Sequence, residues 1–233
     1  YGNRGNFGYS KSFPSFAAFM EEHSTKEKIL AGVETLFMKY GIRSVSMDDI
    51  ARHLGISKKT LYQHFADKDE LVMHMSQLHL DRDLQEYSHI ASTSKNAVEE
   101  LNRISHCLKR DFEDMNPSLL FDLQKYHPRA WGLWQDFKEK FIKESVVRNI
   151  RQGQQEGYFR AEINPEIIAV MRVLLIEASF NDQIFSKDKF NFVEVQIHMF
   201  DFFVHGLCTE KGWKLFLKNK EKYKNESITK VTV

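Results

Sequence analysis

Apolar positions recur at helical spacing along most of this chain, and no stretch alternates as a strand would. In SMDDIARHLGISKKTLYQHFADK, residues 46–68, Ile50, Ala51 and Leu54 share one face of a short helix. Ser46 and Asp49 stand three residues apart at its start, in a capping-box pattern. Gly55 falls where that helix must stop and the chain reverse, a position that favours a residue free to take positive φ. Ser57 offers a second N-cap, and Leu61 with Phe65 at i, i+4 lays an apolar stripe on the next helix. Ala51 is small enough for the two helices to cross closely, Ile56 plugs the corner, and Leu61 fills the space between them. The spacing predicts a helix-turn-helix.

Beyond Asp69 the pattern stays helical. It predicts helices over Glu70 to about Ala91, Ala97 to Met115, and Pro117 to Lys125. A further helix follows Pro128 and carries Trp131, Trp134, Phe137 and Phe141 on one face. Gln152 to Gly157 marks a stop, and Pro165–Phe185 and Phe190–Thr209 form the last long helices. The fold class is therefore all-α. The expected division is residues 1–19 as an extension, 20–68 as the helix-turn-helix domain, 69–209 as a larger helical domain, and 210–233 as a tail.

Packing one face inward leaves Lys58, Lys59, Thr60, Tyr62, Gln63 and His64 facing out. No acidic residue lies between Ser57 and Ala66, and a helix N-terminus presents free N–H groups to an anion. Asp67 caps the following helix and puts Lys68 in its first turn. The plainer alternative is a helical hairpin whose polar face only holds water.

The run from Lys26 to Leu71 resembles the DNA-binding domain of TetR-type transcriptional regulators: a first helix KEKILAGVETLFMKYG, the gap IRSV, then SMDDIAxxLGISKKTLYxHFxDKDEL. The resemblance implies that the helix beginning at Ser57 is the recognition helix. Lys58, Lys59, Thr60, Tyr62, Gln63 and His64 would then approach the major groove, while Ser46, Tyr62 and Lys68 hold phosphates. Phosphate contacts set register and base edges set sequence. Lysine suits guanine O6 or N7, and Gln63 suits adenine. The likeness also implies a homodimer that packs the last two long helices as a four-helix bundle and reads a near-palindromic operator. IIAVMRVLLIEASF and FVEVQIHMFDFFVHGL fit this, being apolar on more than one face.

Composition adjusts this picture little. With 233 residues, 42% hydrophobic, the chain can bury a core of two parts. A net charge of +1 gives no bulk argument for nucleic acid, so affinity must be local. From Ser24 to Lys68, eight Lys/Arg against five Asp/Glu leave +3. Cys107 and Cys208 lie far apart and read as small core residues of a protein in a reducing cytoplasm. No apolar run reaches membrane-spanning length. Ten histidines form no metal motif, and His74 and His79 fall off a common helical face. Without a GxSxG, GxGxxG or phosphate-loop motif, neither catalytic residues nor a cofactor are expected.

Nineteen phenylalanines, eight tyrosines and three tryptophans allow two readings. They fill a helical core, or some of them wall an apolar effector pocket; Phe112, Phe121, Tyr126, Trp131, Trp134, Met171 and Leu175 are the candidates. The resemblance favours a pocket. A small apolar or aromatic effector would release a repressor from its operator by preferring the DNA-free form. The alternative is a DNA-bound adaptor whose C-terminal helices hold a protein instead. Met20 reads as a start, with residues 1–19 either a remnant or an arm reaching DNA through Arg4 and Lys11. The basic C-terminal run reads as a fraying helix.

Overall fold

Capping fixes the ends of the first helices where the residues call for it. A computed structural model describes the backbone of residues 16–113 and 115–231, and the side chains of 25–113 and 115–222. Helix α1 (Phe16–Tyr40) precedes α2 (Met47–Leu54) and α3 (Lys58–His64). Ser46 and Asp49 form the reciprocal capping box of α2: the Asp49 N–H donates to Ser46 Oγ at 3.2 Å, and the Ser46 N–H to Asp49 Oδ2 at 3.0 Å. Gly55 takes φ 64°, and Ile56 N–H returns to Ala51 O at 3.0 Å. Ser57 Oγ accepts from Thr60 N–H at 3.0 Å and opens α3. Gly32 of α1 lets α2 approach, since a Cβ there would lie 2.3 Å from Leu54 Cδ2.

The long α4 (Lys68–Thr93) starts at the cap Asp67 and leaves this domain. It is followed by α5 (Ala97–Glu113), α6 (Leu119–Tyr126) and α7 (Pro128–Phe137). A π-helical turn over Lys138–Ile142 joins α7 to α8 (Lys143–Gln155). Then come α9 (Pro165–Ser179), α10 (Phe192–Leu207) and α11 (Glu210–Val231).

Two apolar cores result. The first joins Val33 and Phe37 of α1, Ile50, Leu61, Phe65 and Val72 to Leu119, Leu120 and Leu123 of α6 and Ala130 of α7. The expected boundary at residue 68 is thus crossed by a shared core. The second gathers Leu101 of α5, Ile150 of α8 and Phe159 with Phe200, Phe203 and Phe216.

Three boundaries differ from expectation. Helix α1 begins at Phe16, inside the segment expected to be an extension; residues 1–15 lie outside those described. Helix α9 stops at Ser179, six residues before Phe185, because Asn181 turns the chain and its carbonyl accepts from Ile184 and Phe185. The segment expected as a tail is docked: Phe216 is fully buried and stacks on Trp213 at 5.5 Å.

Candidate nucleic-acid interface and internal cavity

On α3, the burial of Leu61 and Phe65 turns the opposite side to solvent. Lys59, Tyr62 and Gln63 are exposed, with Tyr62 at 44%; Thr60 and His64 are half-buried. Ser57 and Thr60 hydroxyls bond to each other at 2.8 Å beside the N-terminus of α3. Lys58 Nζ pairs with Asp48 Oδ1 at 2.6 Å across the turn; that bond and charge hold its pKa above the usual lysine range. The pairing brings its ammonium beside α2, with both side chains exposed. Ser46 is exposed, but its hydroxyl donates to Asp49 Oδ2 at 2.6 Å, so a phosphate must compete with the cap.

Lys68, expected at a phosphate, turns inward. Its Nζ donates to Ile42 O at 2.6 Å and Val45 O at 2.5 Å and lies 5.8 Å from the Phe37 ring. Burial pushes its pKa down, opposed by Asp122 and Asp49. The two carbonyls belong to the loop before α2, where Ile42 O also accepts from Val45 N–H at 3.4 Å, and the lysine ties that loop to the start of α4. Asp122 of α6 holds the same loop from the other side, accepting from Arg43 N–H at 3.0 Å.

Between the two cores lies a cavity of about 200 Å³. Helix α4 walls it with Met75, Ser76, His79, Leu80, Asp83 and Tyr87; other walls include Leu120, Phe137, Phe141 of the π-turn and Phe200. Of the expected wall residues, Phe112 and Trp134 line it. The other five do not. Phe121, Tyr126 and Met171 are exposed surface, Trp131 packs against the first core, and Leu175 is half-buried away from the lining. The apolar spacing that suggested them marks faces of helices without saying which face meets a void.

The polar groups of the cavity escaped that reading. His79 Nδ1 lies 2.7 Å from Glu34 of α1, and His79 Nε2 lies 3.5 Å from Asp83; Arg82 also pairs with Glu34. Burial alone would depress His79, but the bond to Glu34 and the charges of Asp83 and Glu34 raise it. Burial pushes Asp83 up to about 6. Arg172 of α9 is 4% exposed and has a sequence signal: it is the one charge in IIAVMRVLLI, residues 167–176. Cys107 and Cys208 are buried free thiols pushed up to about 12, mainly by burial, and behave as core residues. Among the described residues no cluster of potential ligands could hold a metal, and no helix is long and apolar enough to cross a membrane.

Comparison with known proteins agrees with this arrangement. A family model described as bacterial regulatory proteins, tetR family, matches residues 29–75. The HTH-type transcriptional regulator YvaF of Bacillus subtilis is 29% identical over 79% of this chain and 96% of its own length. The HTH-type transcriptional repressor KstR2 of Mycobacterium tuberculosis is 24% identical over 63% of this chain and 74% of its own. In fold, a transcriptional regulator of Saccharomonospora viridis solved in complex with choline matches with a TM-score of 0.66. It is 21% identical and covers 81% of this chain and all of its own.

Proposed function

We propose, for a chain that belongs to the TetR family of bacterial regulatory proteins and is a transcriptional regulator, that it is a dimeric repressor released from its operator by a small molecule in the internal cavity. The observation that carries the DNA-binding half is α3: Lys59, Tyr62 and Gln63 stand exposed on a helix whose other side is fully buried, beside the ammonium of Lys58. In this reading Tyr62 and Lys59 take phosphates or base edges, and Gln63 pairs with adenine.

A stripe on α9 and α10 supports the dimer. Ile167, Val170, Met171 and Leu174 recur at helical spacing and are all exposed, and Phe202 of α10 is 76% exposed. Such a surface is covered by a like surface in a two-fold dimer, which places two α3 helices for half-sites about one DNA turn apart. Met171 thus belongs to the proposed dimer face.

The mostly apolar cavity favours a small effector over the adaptor reading, and α4 carries both the base of the DNA-binding domain and a cavity wall. Selection of bound sequences from a random DNA pool tests this reading. Wild type enriches a two-fold-symmetric motif and a Lys59→Ala/Tyr62→Ala variant does not; equal enrichment by both would remove the reading.

A further inference from the structure

Among the described residues, five buried side-chain polar atoms have no hydrogen-bond partner, and three of them, Ser76 Oγ, Trp134 Nε1 and Arg172 Nη1, belong to residues that line the cavity. A buried polar group without a partner costs free energy, and a buried charge costs more. Such costs persist where function uses the group. Two of the three atoms are obligate donors and the third can donate, so the cavity is short of acceptors.

Arg172 is the sharpest case. Its guanidinium lies 5.1 Å from the Phe200 ring and 5.5 Å from Phe203, contacts that compensate a cation only in part. Burial depresses its pKa to about 10, which leaves it charged at neutral pH. The other charges on the cavity wall have partners. Arg148 donates to Glu100 at 2.5 Å and 3.2 Å, His79 stands between Glu34 and Asp83, and Asp111 takes Arg110 at 2.8 Å. Among the described residues no carboxylate pairs with Arg172, which lies against the rings of Phe200 and Phe203 and is influenced by the phenol of Tyr87.

We propose that the cavity binds an apolar carboxylic acid, its carboxylate on Arg172 and its hydrocarbon among Phe200, Phe203 and the neighbouring apolar walls. This rests on the reading of the cavity as an effector site and names the class of effector. An arginine fork matches a carboxylate bidentately, and the pair is closed off from water by the same rings that now leave the guanidinium unpaired. The volume of about 200 Å³ is somewhat larger than the ~150 Å³ that holds benzene in an engineered cavity. It suits one ring with a short chain.

The test is calorimetric titration of the full chain, without DNA, with 4-phenylbutanoate, 4-phenylbutan-1-ol and 4-phenylbutylamine. The acid binds wild type at least about tenfold more tightly than either twin, the scale expected for a hydrogen-bonded charge pair. In Arg172→Met the acid loses that advantage while the alcohol binds as before, and Arg172→Lys keeps part of it. An alcohol or amine that binds wild type as tightly as the acid overturns the proposal, whether or not the variants fold. So does an acid preference that survives in Arg172→Met, or an acid that does not bind. Loss of DNA affinity on adding each compound is measured separately. Arg172-dependent acid binding that leaves DNA affinity untouched upholds this assignment and defeats the effector reading. Neutral or cationic compounds that fill the cavity and release DNA do the reverse.

Discussion

The DNA-reading helix pair and the internal cavity are built by opposite means. The caps and turn that set the ends of α2 and α3 lie within about twenty residues: two serine caps, a glycine at φ 64°, and a Leu61 that is fully buried between them. The cavity draws its walls from α4 through α10 and from Met38 of α1, and its most telling residue, Arg172, sits on α9 far in sequence from Phe200, Phe203 and Tyr87. Local caps and spacings define a surface, whereas a void is defined by which distant faces fail to meet. The two regions are nonetheless joined, because Met75, Leu119, Leu120, Leu123 and Ala130 belong to the first core and also line the cavity.

Substitutions separate the two regions, and the largest effect is expected at the surface proposed to join two copies. Leu174→Glu with Phe202→Glu should make the protein a monomer by light scattering and reduce affinity for the selected operator toward its non-specific level, on the order of 10³-fold. A dimeric variant with intact operator binding would remove this face from the account. Next is Leu61→Ala, which empties the space between the two helices. It should cost about 3 kcal/mol in chemical denaturation, and the whole chain should feel it, since Leu61 shares its core with α6 and α7.

Lys68→Met asks whether this residue belongs with the DNA face or with the fold. It takes the ammonium from the carbonyl of Val45 and from that of Ile42, which keeps only the Val45 N–H at 3.4 Å. About 1–3 kcal/mol of stability should go, while the salt dependence of DNA binding keeps its slope; a slope reduced by about one unit would return Lys68 to a phosphate. Gly55→Ala is smaller. Nothing lies within 4 Å of the added Cβ, so only the left-handed backbone is strained, at about 1 kcal/mol.

The smallest effect lies on the cavity side. Asp83 is pushed up to about 6 by burial, so the folded state holds its proton more tightly than the unfolded chain and stability falls as pH rises from about 4 toward 6. His79 is raised as well, and what its protonated form contributes is present below its unfolded value near 6.5 and lost as pH rises through its folded one. Melting temperature should therefore decline across this window, and Asp83→Asn should flatten the decline at its acid end.

How far the sequence could be read follows from the same contrast. Ser46, Asp49, Gly55, Ser57 and Leu61 announced the helix pair by type and spacing, and each holds that role in the structure. Lys68 was misplaced because its carbonyl partners lie 23 and 26 residues away, and no local rule reports a side chain folding back that far. Of the residues on the aromatic stripes, Phe112 and Trp134 line the cavity, whereas Phe121 and Tyr126 are exposed on the far side of α6. The lone charge within IIAVMRVLLI was legible, yet its meaning depended on finding no carboxylate near it.

Because the helix pair and the cavity wall share a core, they are expected to unfold as one unit. Native-state hydrogen exchange on wild type and Leu120→Ala measures this most directly. Leu120 lines the cavity and lies in the first core, more than fifty residues beyond α3. If the claim holds, truncating it lowers protection of the α2 and α3 amides by the same free energy as the α6 and α7 amides. Unchanged protection in α2 and α3, with loss confined to α6 and α7, would contradict it.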